Sequence, residues 1–151
     1  MNVAGIYVAS DAGGPLIAVD QVRAVPGKGL VGDRYFSGMG TFSAKTKSGR
    51  EITLIERESI DAIARESDIQ IDPGETRRNI VTEGVALNHL VERKFKLGEV
   101  EIWGERLCEP CTHLENLTVK GVREALVHRG GLRGRILTEG VIKAGDPVVI
   151  S

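Results

Sequence analysis

The length, composition and charge of the chain exclude several classes of protein. With 151 residues it has room for one hydrophobic core, and we expect a single domain over residues 1–151. A formal net charge of −1 and an aromatic content of 4% predict no nucleic-acid partner, because such binding needs a basic surface or stacking rings. No apolar run approaches the roughly 20 residues that cross a bilayer, so we also predict no membrane partner.

The cysteines and the N-terminus indicate a cytoplasmic protein. The chain has 2 cysteines, which lie close together and do not make the disulfide framework of a small secreted domain. Residues 1–10 have no basic leader with a cleavable apolar segment, and their pattern is typical of a first strand. We therefore expect a reducing, cytoplasmic environment.

The predicted elements are mostly short strands that end at turns rich in glycine and proline. In chain order they cover residues 3–9, 16–25, 51–56, 79–82, 95–97, 99–104, 135–138, 141–142 and 148–150. Residues 37–49, rich in glycine and serine, predict a long mobile loop that covers the site. Apolar residues at helical spacing predict one helix around Ile60 and Ile63 and another at residues 119–126. This pattern predicts a mainly β fold, a β-barrel with two or three short helices.

The chemistry of the chain is concentrated between Cys108 and Leu114, a stretch that holds both cysteines and His113. A thiolate is a nucleophile and a soft metal ligand, and Pro110 restricts the backbone before Cys111. Other interpretations stay open: a reversible disulfide, a thioredoxin-like redox pair, small buried residues, or a zinc site. The zinc site would use Cys108, Cys111, His113 and either His89 or His128. It lacks a second clear ligand pair, and the redox pair lacks an early βαβ unit, so both are less favoured.

Seven short motifs in a fixed order resemble the MOSC domain family. They are Gly32-Asp-Arg34, Pro73-Gly-Glu-Thr-Arg-Arg-Asn-Ile80, Leu87-Asn88, Leu97-Gly98, Pro110-Cys111 with Leu114, Arg129-Gly-Gly-Leu132 and Gly140-Val-Ile-Lys-Ala-Gly-Asp146. The family is named for the C-terminal domain of molybdenum cofactor sulfurases. The resemblance implies a MOSC-type β-barrel and a molybdenum cofactor (molybdopterin) whose metal is bound by one protein cysteine.

The resemblance also implies roles for individual residues. It makes Cys111 the molybdenum ligand and the centre of the catalytic site, with His113 beside it as a candidate proton donor. The predicted cofactor-binding residues are Arg34, Arg78, Asn79, Arg129 and Gly130. Guanidinium groups bind phosphate in a bidentate manner, and backbone amides beside glycine approach an anion closely. The alternative for Arg34 is an internal ion pair with Asp33, and the alternative for the pair Arg77 and Arg78 is a solvated surface position.

Three functions are compatible with these residues. Family members with known activity look like reductases of N-hydroxylated compounds, so the first hypothesis is a molybdenum-dependent oxidoreductase that acts on a small-molecule substrate. Its electrons would come from a separate donor protein, because the chain shows no nucleotide-binding glycine motif and no cluster of four cysteines. The second hypothesis is a sulfur carrier with a persulfide on Cys111, and the third is a non-catalytic ligand-binding β-barrel. The oligomeric state stays open.

Overall fold

The computed structural model describes residues 1–9, 14–33, 36, 51–110, 114, 118 and 120–150, and this part of the chain is mostly strand. The strands are β1 (Asn2–Val8), β2 (Ile17–Val19), β3 (Gln21–Val25), β4 (Gly29–Leu30), β5 (Ile52–Glu56), β6 (Ile80–Glu83), β7 (Lys94–Leu97), β8 (Val100–Leu107), β9 (Leu132–Ile136), β10 (Gly140–Lys143) and β11 (Val148–Ile150). The α-helices of the described residues are α1 (Arg57–Ser67) and α2 (Val122–Ala125), and the 3₁₀ helices are Pro73–Thr76 and Leu87–Leu90.

The strands form one large and one small sheet. The large sheet has the order β11-β7-β8-β9-β5-β6-β1-β2, and the small one has the order β10-β3-β4. Within the described residues all neighbouring strands are antiparallel except β5 and β6, which α1 connects as a βαβ unit. The large sheet curls until its β11 edge meets the start of β1, where Asn2 forms a bridge with Pro147 and the Val148 N–H donates to the Met1 carbonyl at 3.0 Å. The result is a curled half-barrel.

The described residues form two hydrophobic clusters, one with members from both sheets and one that includes residues of α1. In the larger cluster Phe95 of β7 is fully buried and belongs to the same core as Ile52 and Leu132. In the smaller cluster Ile63 of α1 is buried with Leu126, so the predicted apolar helix face packs inward. Burial of each such side chain contributes roughly 1.5–3 kcal/mol relative to exposure. The two clusters therefore supply most of the apolar burial that stabilises the fold.

These observations confirm the predicted mainly β fold with few helices. Within the described residues, no helix has both the length and the apolar character that a membrane crossing needs. The predicted loop over residues 37–49 lies outside the described part of the chain.

Several element boundaries differ from the sequence prediction, and three of the differences have a clear cause in the fold. The predicted strand 16–25 is divided into β2 and β3, because the chain changes sheets at Asp20, whose carbonyl accepts the Ala144 N–H at 2.9 Å. The predicted strand 135–138 instead spans β9, because pairing with β5 and β8 begins at Leu132. The second helix begins only at Val122, because Gly121 before it has a left-handed φ of 96°.

Candidate functional site

The segment that precedes the predicted metal ligand is firmly bound to the fold. Cys108 directly follows β8, its side chain is buried at 1% exposure and its thiol is free. Its N–H donates to the Gly131 carbonyl at 2.8 Å, which continues the pairing of β8 with β9. Cys111 and His113 lie outside the described residues, so their roles stay predictions.

Arg78 is buried, and its guanidinium group donates to backbone carbonyls from three parts of the chain. Nε donates to the carbonyl of Gly130 at 2.8 Å, and Nη2 donates to that of Cys108 at 2.9 Å. Nη1 donates to the carbonyl of Thr76 at 3.2 Å. A guanidinium group has five N–H donors, so these three bonds use more than half of them. Arg78 thereby connects the turn before β6 with the segment before Cys111 and the turn before β9.

Gly130 packs directly against the same segment. A Cβ atom at this position would lie 2.5 Å from the Cys108 carbonyl oxygen and 3.0 Å from Cδ of Pro110. Only a residue without a side chain permits this approach of two backbone segments. The glycine is therefore required by the packing around Cys108, and its predicted contact with a cofactor stays a prediction.

Glu109, the middle residue of the Cys108–Pro110 segment, is held by a surface contact with His128. The carboxylate of Glu109 accepts the backbone N–H of His128 at 2.8 Å, and its other oxygen lies 3.0 Å from Nδ1 of the same histidine. Asn88 donates from Nδ2 to the His128 carbonyl at 2.8 Å. His128 has a left-handed φ of 62°. These bonds connect Glu109 to the turn between α2 and β9.

Asn79, the next predicted cofactor-binding residue, is buried at a junction of three strands. Its Oδ1 accepts the Thr53 N–H at 3.2 Å and the Thr53 hydroxyl at 3.1 Å, and its Nδ2 donates to the Tyr7 carbonyl at 3.1 Å. The Tyr7 N–H in turn donates to the Asn79 carbonyl at 2.7 Å. The amide side chain thus joins β1 and β5 at the start of β6, which gives it a clear role in the fold.

The guanidinium group of Arg129 binds α1 and α2. Nη1 lies 2.9 Å from Oε2 of Glu66, and Nε donates to the Ala125 carbonyl at 2.9 Å. The hydrogen bond and charge of Arg129 lower the pKa of Glu66 below its ordinary value. Arg129 also lines a groove of about 700 Å³ between the end of α1 and α2. The structure therefore places Arg78 and Arg129, which we predicted to share one ligand, against different partners.

Asp33 directly precedes Arg34, the third predicted arginine, in the sequence. Asp33 is almost fully buried, and its Oδ1 accepts the Ala9 N–H at 3.1 Å at the end of β1. Arg34 itself lies outside the described residues. The hydrogen bond of Asp33 brings the Gly32-Asp33 turn next to the C-terminal end of β1.

A cavity of about 690 Å³, which the sequence analysis missed, opens beside Arg77. Its lining includes Tyr7, Leu16, Ala18, Gly74, Glu75 and Arg77. Arg77 is half-buried and donates from Nη1 to the Gly14 carbonyl at 2.6 Å. Gly74 makes room for the Tyr7 ring, because a Cβ there would lie 3.3 Å from Cδ1 of the tyrosine. The adjacent arginines Arg77 and Arg78 indicated a binding site in the sequence. The sequence did not show which of the two lines the cavity.

A metal cluster built only from the described residues is not present. Among them, no group of three histidine, cysteine, aspartate or glutamate side chains is placed to hold a metal ion. The zinc ligands considered from the sequence include Cys111 and His113, which are not described, so this finding does not bear on them.

Solved structures with the same fold are found at low sequence identity. The YUAD protein from Bacillus subtilis matches with a TM-score of 0.79 and 17% identity over 97% of this chain and 92% of that one. YiiM from Geobacillus stearothermophilus matches with a TM-score of 0.77 and 15% identity, over 99% of this chain and 74% of its own. YiiM from Escherichia coli matches with a TM-score of 0.70 and 18% identity, over 100% and 70% respectively. At these identities the likeness shows the fold alone.

The sequence itself was compared with curated proteins and with family models. No curated protein matches the chain. The model of the MOSC domain matches residues 41–149, well over half of the chain and most of the strands described above. The chain therefore belongs to the MOSC domain family.

Proposed function

We propose that this protein binds a molybdenum cofactor through Cys111 and reduces a small N-hydroxylated substrate. The observation that supports this most strongly is the fixed Cys108–Pro110 segment in a chain of the MOSC family, which is associated with functions of the molybdenum cofactor. Cys111 is the next residue but one after Glu109, and a metal ligand needs supporting contacts in the chain around it.

Two features of the chain fit a molybdopterin. The first is the sulfur donor, because molybdenum in an oxo centre accepts thiolate ligands and a cysteine supplies one when deprotonated. The second is the cavity of about 690 Å³ beside Arg77, a volume within the usual range for cofactor sites. It combines the apolar surfaces of Tyr7 and Leu16 with a guanidinium group that suits a phosphate.

The residues of the chain would divide the binding between them. Arg77 and Arg34 would hold the anionic end of the pterin, whereas the buried Arg78 and Asn79 keep the surrounding backbone in place. A direct contact of Arg129 and Gly130 with the cofactor remains part of the proposal from the sequence.

The proposed reaction removes one oxygen atom from nitrogen. When bound, the cofactor supplies two electrons that convert an N–OH group and two protons into N–H and water. The protons would come from His113 or from solvent. The electrons would come from a separate donor protein, so the chain needs a partner for turnover.

Metal analysis tests the binding of the cofactor. We expect the protein purified from a host that makes molybdopterin to contain stoichiometric molybdenum. Protein from a host that cannot make the cofactor serves as the control and should lack the metal. Metal-free protein from the competent host, with the fold intact, would favour the non-catalytic ligand-binding barrel.

Turnover separates the reductase from the sulfur carrier. With a supplied reductant, we expect the loaded protein to reduce a hydroxylamine or amidoxime, and the metal-free protein to be inactive. If turnover is absent but cyanide releases sulfur from Cys111, the protein is a sulfur carrier with a persulfide at that residue.

A further inference from the structure

We propose that the exposed face of strands β7, β8 and β9 docks an acidic protein, and that this protein is the electron donor. This basic face is formed by Lys94, Lys96, Trp103, Arg133 and Arg135. The proposal rests on the function proposed above only in identifying the acidic partner as the donor. The docking surface itself follows from the register, exposure and charge of the five residues.

Strand register places a tryptophan between two cations. Trp103 of β8 lies directly opposite Lys94 of β7 on one side and Arg135 of β9 on the other. Residues opposite each other in antiparallel strands have their side chains on the same face, with Cβ atoms about 4.5–5.5 Å apart. Because the alternate residues Phe95 and Ile136 are buried in the core, this row lies on the other side of the sheet. There Lys94 and Arg135 are exposed and Trp103 is half-buried.

Further cations continue the basic face along the strands. Lys96 comes two positions after Lys94, and Arg133 comes two positions before Arg135, so all four cations lie on one side of the sheet. Lys96 has an acidic residue, Glu101, directly opposite. None of the ion pairs within the described residues includes any of the four cations. The face therefore carries an excess of positive charge, although the formal net charge of the chain is −1.

The charge of the basic face favours an acidic protein over other partners. Glu105 and Arg106, at the bulge of β8, add one charge of each sign and leave the excess unchanged. A second copy of the chain would bring the same cations against each other in a two-fold contact. A single tryptophan gives little stacking for single-stranded nucleic acid. The carboxylates of an acidic protein would pair with the cations, and Trp103 supplies the aromatic anchor that protein interfaces favour.

The basic face adjoins the candidate site, which connects the docked protein with the proposed reaction. Cys108 directly follows β8 and lies five positions after Trp103, a separation of roughly 16 Å at about 3.3 Å per residue. Arg133 lies two positions after Gly131, whose carbonyl accepts the Cys108 N–H at 2.8 Å. A protein on this face therefore lies near the Cys108–Pro110 segment, as a donor of electrons to that site needs.

Fluorine NMR tests the docking directly, because the chain has 1 tryptophan and this residue lies in the basic face. Metal-free protein labelled with fluorotryptophan would be titrated at low salt with plant-type ferredoxin and with flavodoxin, two acidic electron carriers. We expect the resonance of Trp103 to shift with a dissociation constant in the micromolar range, and added salt to weaken the binding. Cytochrome c, a basic electron carrier, is the control and should leave the resonance unchanged.

Charge reversal tests which cations bind the partner. We expect Lys94→Glu combined with Arg135→Glu to weaken the binding of both acidic carriers by roughly tenfold. Lys28→Glu combined with Lys143→Glu is the matched control, because both lysines are exposed at the small sheet and the net charge changes equally. This control should leave the affinity nearly unchanged, and melting temperatures confirm that the variants are folded. An equal loss of affinity in the two pairs would overturn the proposal, because net charge alone would then govern binding.

Other results of the titration would also overturn the docking surface. They are an unshifted resonance with both acidic carriers, an equally strong shift with a single-stranded oligonucleotide, and a shift that follows the concentration of the protein alone. The last of these would indicate a second copy as the occupant. Because the titrated protein is metal-free, its binding does not depend on molybdenum. Turnover with a chemical reductant but no docking would remove the basic face and leave the proposed reductase intact.

Discussion

Two neighbouring arginines, Arg77 and Arg78, have the same chemistry and different surroundings. Arg77 is half-buried and lines a cavity of about 690 Å³, whereas Arg78 is buried and binds three carbonyls of its own chain. The difference arises in the backbone, because Arg77 has a left-handed φ of 62° at the end of the 3₁₀ helix. The side chains of Arg77 and Arg78 therefore point in different directions. The pair shows that neighbouring arginines of one motif can differ, one lining a cavity and the other binding the backbone of its own chain.

The largest effect on stability should come from removing the buried arginine. Arg78→Met leaves the carbonyls of Thr76, Cys108 and Gly130 without their donor, and we expect a loss of about 3 kcal/mol in the free energy of unfolding. Urea denaturation measures it. Arg77→Gln is the matched control, and equal losses in the two variants would abolish the distinction between the arginines.

A larger residue at Gly130, which packs against the Cys108–Pro110 segment, should lower the free energy of unfolding somewhat less. Gly130→Ala places a Cβ 2.5 Å from the Cys108 carbonyl oxygen, and we expect a loss of about 2 kcal/mol. Gly27→Ala is the control, because no atom lies within 4 Å of its Cβ and its cost is limited to the strain of a positive φ. A loss for Gly130→Ala no larger than for the control would mean that the segment adapts easily.

Arg77→Gln should separate stability from cofactor binding. We expect the free energy of unfolding to fall by about 1 kcal/mol, because Arg77 is half-buried and its hydrogen bond to the Gly14 carbonyl is lost. The molybdenum that remains after gel filtration should fall several-fold. Full retention of the metal in this variant would remove the cavity from the proposed site.

The smallest effect concerns Arg129, whose guanidinium group binds a carboxylate at the surface. The pKa of Glu66 is lowered by Arg129, so its stabilising contribution is present above the ordinary value of 4.5 and is lost as the pH falls through the lowered pKa. We expect Glu66→Gln to be slightly less stable than the parent at pH 7 and equally stable in acid.

Glu56 provides a control of opposite sign for this pH dependence. Burial raises its pKa, so ionisation costs stability, and that cost grows as the pH rises from 4.5 through the raised pKa. Glu56→Gln should therefore gain relative to the parent at neutral pH. Denaturation curves at several pH values measure both variants, and the same pH trend in the two would contradict the assignment.

The fold was largely predictable from local patterns, and the roles of the arginines were not. Strands such as Val100–Leu107 and the helix around Ile63 follow from periodicity, because burial of one face is encoded by neighbouring residues. The break between β2 and β3 at Asp20 arises because the two strands belong to different sheets. The local sequence does not show which strands each of them pairs with.

The same limit applies to the site. The motif with Arg78 and Asn79 did not show which residues they contact, because Arg78 binds Cys108 and Gly130, which lie 30 and 52 positions away in the sequence. Only the pairing of strands in the sheet brings these segments together. The cavity beside Arg77 was missed for the same reason, because Tyr7 and Gly74 meet through the three-dimensional fold.

Molybdenum content tests most directly whether Cys111 is the metal ligand. Cys111→Ser and Cys108→Ser would be purified side by side from a cofactor-competent host, with melting temperatures to confirm that both are folded. We predict that Cys111→Ser loses molybdenum to background while Cys108→Ser keeps most of it, because the backbone contacts of Cys108 survive the change. Full molybdenum content in folded Cys111→Ser would contradict the assignment of this residue as the ligand.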